Sequence, residues 1–128
     1  MPSSAYLRAA TAHFRGWFRE LGYIVPSRVQ VTARYLPVNW GLWTRLDNGY
    51  HRISISHDLT WRNSLETLLH ELCHAATKDS SHIGCFAEAA DKIGLIPYKE
   101  LGYTVPNGSR KLRYKLKKLH ERLEHYTH

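Results

Sequence analysis

The chain has 128 residues, 43% hydrophobic and 23% charged, with a net charge of +7, which is the composition of one ordinary soluble globular domain. No apolar run approaches the ~20 residues of a membrane span, and the N-terminus lacks a signal-peptide pattern, so we expect a cytoplasmic protein with no membrane partner. The cysteines, Cys73 and Cys85, form no C-x-x-C pair, which excludes a zinc ribbon and predicts free, buried thiols.

The first half of the chain predicts one helix followed by three strands. Apolar residues recur with helical spacing over 3–22, a serine pair at the start can cap this helix, and Gly22 is placed to end it. Residues 28–56 show alternation typical of strands, and the turn Asp47-Asn48-Gly49 favours a hairpin. These features predict an α+β fold with a small antiparallel sheet of about three strands.

The second half predicts three more helices. The first begins at about 61 or 64 and ends at about 77, and the second covers about 85–93 and ends at Gly94. Residues 95–108 contain two prolines and are predicted to form a loop, and the last helix covers about 109–125.

An H-E-x-x-H sequence, His70-Glu71-Leu72-Cys73-His74, lies inside the first of these helices. Residues four apart are only ~40° apart around a helix, so the two imidazoles can bind one metal ion from the same face. Neutral imidazole suits Zn²⁺, which lowers the pKa of a bound water to about 7. Glu71 is turned ~100° from His70, so it is poorly aimed as a ligand but can reach that water as a general base. The motif predicts hydrolysis with one zinc ion.

A third protein ligand is expected for a catalytic zinc. The spacing of metzincins is excluded, because a threonine and a serine occupy the positions where that class has glycine and histidine. His82 is the next histidine, and a turn over 78–81 can return it toward the motif. Glu88 and Asp91 are rival ligands, and His57 is a weaker one.

Several segments between Arg28 and Leu95 together resemble the SprT-like family, which includes the Spartan proteases. The similar segments are His51-Arg52-Ile53-Ser54-Ile55-Ser56, Ser64 to Ala75 around the motif, His82 with Phe86, and Lys92-Ile93-Gly94-Leu95. Two features depart from the family pattern. Ile83 follows His82 where the family usually has glycine, and the four-cysteine zinc ribbon of many members is missing.

The resemblance implies a zinc metallopeptidase with His70, His74 and His82 as ligands and Glu71 as the catalytic acid and base. Its protein substrates would be associated with DNA or crosslinked to it. The implied core is zincin-like, with the sheet packed by the N-terminal helix and the motif helix over residues 1–108. We expect a monomer.

The positive charge is concentrated near the C-terminus. Residues 110–128 hold seven Lys or Arg and two Glu, which makes +5 of the net +7. Leucines spaced four, three and four residues apart predict an amphipathic helix in 109–128 that belongs to the same compact unit. The remaining faces predict contact with DNA through Arg110, Lys111, Arg113, Lys115, Lys117, Lys118 and Arg122. The alternative interpretation is a DNA-binding or regulatory module with a structural zinc and no proteolytic activity.

Three aromatic residues, Trp40, Trp43 and Tyr50, cluster around the predicted hairpin. Rings in such a position can stack on single-stranded bases. More often they pack a core or line a substrate cleft, and we expect that here.

Overall fold

The computed structural model describes residues 2–127 of the chain. Its elements are α1 (Ser4–Glu20), β1 (Val29–Arg34), β2 (Gly41–Arg45), β3 (His51–Ser56), α2 (Trp61–Thr77), α3 (Cys85–Ile93) and α4 (Arg110–Leu123), with 3-10 turns at Lys99–Leu101 and Glu124–Thr127. The predicted α+β class is confirmed. Within the described residues, no helix combines the length and apolar character that crossing a bilayer requires.

Three helices, α1, α2 and α4, begin where the sequence offers a hydroxyl cap. The Ser3, Thr60 and Ser109 hydroxyls accept hydrogen bonds from backbone N–H groups in the first turns of α1, α2 and α4. The helix α3 ends at Gly94, which has a left-handed φ of 108°. Local capping chemistry therefore accounts for most of the predicted helix boundaries.

The sheet is mixed, so the prediction of an antiparallel sheet is wrong for one of its two strand pairs. The strands lie in the order β1-β3-β2, with β2 antiparallel and β1 parallel to β3. The hairpin turn joins β2 to β3 as predicted, and Leu46 and Tyr50 close it. The first strand pairs with the opposite edge of β3, so β3 lies in the centre and is the most buried strand.

One hydrophobic core joins the helices to the inner face of the sheet. Ile53 and Ile55 of β3 are fully buried in it, and the leucine stripe of α4 lies in the same core, with Leu112, Leu116, Leu119 and Leu123. Cys73 is a buried free thiol, as predicted. Cys85, the first residue of α3, is exposed, contrary to the prediction.

A buried carboxylate ties the C-terminal part of the chain to α2. Glu66 is 2% exposed and accepts hydrogen bonds from the Gly108 N–H at 2.6 Å and from Arg113 Nε at 3.1 Å. Arg113 Nη2 also donates to Asn107 Oδ1 at 3.2 Å. These bonds anchor the end of the 95–108 segment one helical turn before His70.

Candidate metal centre

The motif side chains lie in the second half of α2, on the face that the sheet covers. His70, Glu71 and His74 are 5%, 6% and 6% exposed. The two imidazole rings have centroids 5.1 Å apart, as the four-residue spacing predicts. Burial of two histidines and a glutamate on one helix face is costly without partners, so this arrangement calls for a ligand.

His82 meets the two motif histidines from the loop between α2 and α3. Its Nε2 lies 3.3 Å from His70 Nε2, and one ring nitrogen from each of the three histidines lies within 4.8 Å of the others. Two nitrogens bound to one tetrahedral zinc at ~2.0–2.1 Å are about 3.3–3.4 Å apart. The His70–His82 distance fits that geometry.

The rival third ligands lie elsewhere. Glu88 contacts Lys92 on the exposed side of α3 at 3.4 Å, and Asp91 is within 3.4 Å of the Tyr103 hydroxyl. His57 is bonded to its neighbour Asp58 at 2.9 Å. Among the residues that the structure describes, His70, His74 and His82 form the only such cluster.

A hydrogen bond fixes the tautomer of His74. The Asp79 backbone carbonyl lies 2.6 Å from His74 Nδ1. A carbonyl can only accept, so Nδ1 carries the proton and Nε2 keeps its lone pair for a metal. His70 Nδ1 is buried and has no hydrogen-bond partner within the described chain. Asp79 was not among the predicted site residues, although the sequence Asp79-Ser80-Ser81 is a turn signal.

The protein environment keeps the histidines neutral. Burial, followed by the charges of His74 and His82, lowers the pKa of His70 to about 3. Burial is also the largest cause of the lowered pKa of His74 and of His82. Neutral imidazole is the form that binds zinc, so the donor set suits this metal at neutral pH.

Glu71 lies beside the histidines without replacing any of them. Its Oε2 is 4.0 Å from His70 Nε2, and burial raises the pKa of its carboxyl group to about 8. A cation held by the three imidazoles would favour the charged carboxylate and lower that pKa. Gly41 of β2 passes so close that a Cβ atom there would lie 3.0 Å from Glu71 Oε2 and 2.6 Å from Thr67 Cγ2.

Two aromatic rings enclose the cluster. Phe86 of α3 stacks on His74 with centroids 4.2 Å apart and meets the edges or faces of His70 and His82 at 5.0 and 5.1 Å. Trp43 of β2 stacks on His74 at 5.6 Å and donates from Nε1 to His51 Nδ1 at 3.0 Å. The sequence predicted Trp43 only as a core or cleft residue, and no sequence signal indicated its contact with a histidine of the cluster.

A cleft of about 520 Å³ opens over these groups. His70, Glu71, His74 and His82 lie along it, residues 38–43 form one side, and Thr104, Val105 and Pro106 line another part. Trp40 and Trp43 line the cleft as expected, whereas Tyr50 does not and instead lies beneath the Arg28 guanidinium at 5.5 Å.

The predicted nucleic-acid residues lie on α4, away from the cleft. All of them are exposed except Arg113, which is half-buried and bonded to Glu66. Lys115 Nζ lies 4.1 Å from the ring centroid of Trp17, so its position is partly fixed by a cation–π contact. Lys118 Nζ likewise lies 5.5 Å from the ring centroid of Tyr114.

No family model and no curated protein matches the sequence. Among solved structures, the chain is similar to the crystal structure of the metallopeptidase zymogen of Pyrococcus abyssi abylysin, with a TM-score of 0.53 and 16% identity. The match covers 92% of this chain and 95% of that chain. This likeness shows that the chain shares the overall fold of that protein over most of its length.

Proposed function

We propose that the protein is a zinc-dependent endopeptidase of SprT-like type. The observation that carries the proposal is the convergence of His70, His74 and His82, with the carboxyl group of Glu71 beside them, in a cleft of about 520 Å³. The similar fold of a metallopeptidase zymogen supports the same reaction class. A purely structural zinc site would have no use for a buried glutamate and an open cleft at the ligands.

His70, His74 and His82 would hold the ion through one ring nitrogen each. When bound, zinc supplies Lewis acidity, which activates water at neutral pH and polarises a carbonyl group. Glu71 takes the proton of the attacking water on its carboxylate and later gives it to the leaving amine nitrogen. Its low exposure keeps bulk water from competing for that proton.

The edge of the sheet supports a peptide as the substrate. Ser56 N–H donates to the Trp40 carbonyl, so the pairing alternation directs the backbone groups of Gly41 and Trp43 away from β3 and toward the open edge. No strand of the described chain pairs with this edge. An extended peptide can hydrogen-bond there and pass over the three histidines, as in other cases of strand addition.

The basic helix supports a DNA-associated substrate. Six exposed cations along α4 provide a surface for phosphates without any base-reading motif. Those six residues are Arg110, Lys111, Lys115, Lys117, Lys118 and Arg122. Binding to this surface would bring the cleft to proteins held on DNA, in agreement with the resemblance to Spartan proteases.

The test is cleavage of a labelled, chemically unfolded protein by the purified chain, with and without zinc, a chelator and duplex DNA. We expect cleavage that the chelator stops, that added zinc restores and that DNA stimulates when the substrate binds DNA. Cleavage that does not change when DNA is added would indicate a peptidase whose substrates are not associated with DNA. DNA binding without cleavage under any zinc condition would instead establish the non-enzymatic alternative.

A further inference from the structure

The geometry points to Asp79 as the positioning residue that assembles the metal centre, because it links the loop carrying His82 to His74 and to the start of α3. The inference rests on the proposed zinc site and names the residue on which its third ligand depends. Asp79 does not itself reach the metal position, since its carboxylate is engaged by other groups.

The Asp79 carboxylate takes three hydrogen bonds. Oδ1 accepts from Ser81 N–H at 2.9 Å and from Ser81 Oγ at 2.7 Å, and Oδ2 accepts from Phe86 N–H at 3.2 Å. These bonds fold the loop into a tight turn directly before His82. The hydrogen bonds from Ser81 are also the largest cause of the lowered pKa of Asp79, so the carboxylate is charged at neutral pH.

The Ser81 side chain also forms a hydrogen bond to the residue that follows His82. Its hydroxyl donates to Asp79 Oδ1 at 2.7 Å, and its Oγ accepts from the Ile83 N–H at 3.3 Å. Ser81 and Ile83, the residues on either side of His82, are therefore tied to each other and to Asp79. These hydrogen bonds set the direction from which the His82 ring approaches the other two histidines.

The same residue supplies the missing cap of α3. Gly84 occupies the N-cap position and offers no side-chain hydrogen bond, with a φ of 61°. Asp79 replaces that cap from five residues upstream, and a Cβ atom on Gly84 would lie 3.7 Å from Oδ2. The bond holds the helix whose Phe86 ring contacts all three histidines.

The backbone of Asp79 completes the link. Its carbonyl accepts the His74 Nδ1 proton at 2.6 Å and so directs Nε2 toward the cluster. Residues that orient metal ligands in this way typically change metal affinity by about 10–100-fold when they are replaced. A side-chain substitution at 79 keeps the carbonyl but releases the turn that positions it.

The experiment measures zinc affinity by chelator competition, together with the visible spectrum of bound Co²⁺, for the parent, Asp79→Asn and Asp79→Ala. We expect affinity to fall about 10–100-fold in Asp79→Ala. The loss should be smaller in Asp79→Asn, because the amide oxygen can still accept from Ser81. The Co²⁺ spectrum of Asp79→Ala should also change, since His82 would approach from a different direction. Circular dichroism melts without metal identify variants that simply fail to fold.

Glu88→Ala is the matched control, because Glu88 is a carboxylate at the start of α3 whose side chain is 64% exposed and faces Lys92. We expect parent-like zinc affinity in this variant. Equal affinity and an unchanged Co²⁺ spectrum in a folded Asp79→Ala would overturn the inference alone, as would an equal loss in Glu88→Ala. A parent chain that binds no zinc would overturn the proposed function together with it.

Discussion

The cleft and the outer face of α4 both gather ionisable side chains, and they differ in how the fold holds them. In the cleft, His70, Glu71 and His74 are at most 6% exposed, and a hydrogen bond fixes the tautomer of His74. On α4 the cations are exposed, apart from Arg113, which is bonded inside the protein. Burial of polar groups costs free energy unless they are hydrogen-bonded, paired or bound to a ligand, so we expect a bound ion in the cleft, whereas the exposed cations of α4 form a charged surface.

The largest expected effect is the loss of cleavage in Glu71→Gln. The amide cannot take a proton from water, so cleavage of an unfolded protein should fall by about 10²–10⁴-fold while zinc content stays at the parent level. Paired measurements of peptide cleavage and metal content check this. Parent-like cleavage by the variant would show that Glu71 is not the general base.

The variants Glu66→Ala and Glu88→Ala compare a buried carboxyl group with an exposed one. Glu66→Ala removes the acceptor of the Gly108 N–H and of Arg113, so the free energy of unfolding should fall by about 2–3 kcal/mol. Glu88→Ala breaks only an exposed pair with Lys92 and should cost less than about 1 kcal/mol. Urea unfolding measures both, and equal losses would contradict the role given to Glu66.

Gly41 tests the close packing beside the cleft, and Gly16, which lies in α1, is the contrasting position. A Cβ atom on Gly41 would lie 2.6 Å from Thr67 Cγ2, so Gly41→Ala should destabilise the fold by about 1–3 kcal/mol and reduce cleavage. Gly16 lies within α1 with nothing within 4 Å of its Cβ position, so Gly16→Ala should stabilise by about 0.5–1 kcal/mol. Thermal melts distinguish the opposite signs, and a neutral Gly41→Ala would refute the close approach of β2.

The smallest expected effect concerns α4. Joint replacement of Lys117, Lys118 and Arg122 by alanine should weaken duplex DNA binding about tenfold at low salt and reduce the salt dependence. The control replaces Arg34 and Arg52, which are exposed on the sheet. Fluorescence anisotropy at several salt concentrations checks this, and an equal loss in the control would mean that α4 is not a distinct surface.

Local features of the sequence predicted most elements and two of the three histidines of the cluster. Hydroxyl caps and the closing Gly94 act within one turn, so the helix ends follow from nearby residues. The four-residue spacing likewise placed His70 and His74 on one face, because helix geometry is the same everywhere.

The features of the fold and of the site that the sequence did not predict depend on contacts between distant segments. β1 pairs directly with β3, although β2 lies between them in the sequence, and alternation within each strand cannot reveal this pairing or its parallel direction. Trp43 reaches His74 only because β2 crosses α2, and Asp79 reaches Phe86 only through the folded loop. The place of His82 came from family resemblance, since spacing alone left carboxylates as rivals.

The most direct test is metal analysis of the purified, zinc-loaded parent beside His82→Ala and His57→Ala. We expect about one zinc per parent chain, a large loss of zinc affinity in His82→Ala and no change in His57→Ala. His57 is the matched control because it pairs with Asp58 outside the cluster. A parent without zinc, or a His82→Ala variant that binds zinc as tightly as the parent, would contradict the three-histidine centre.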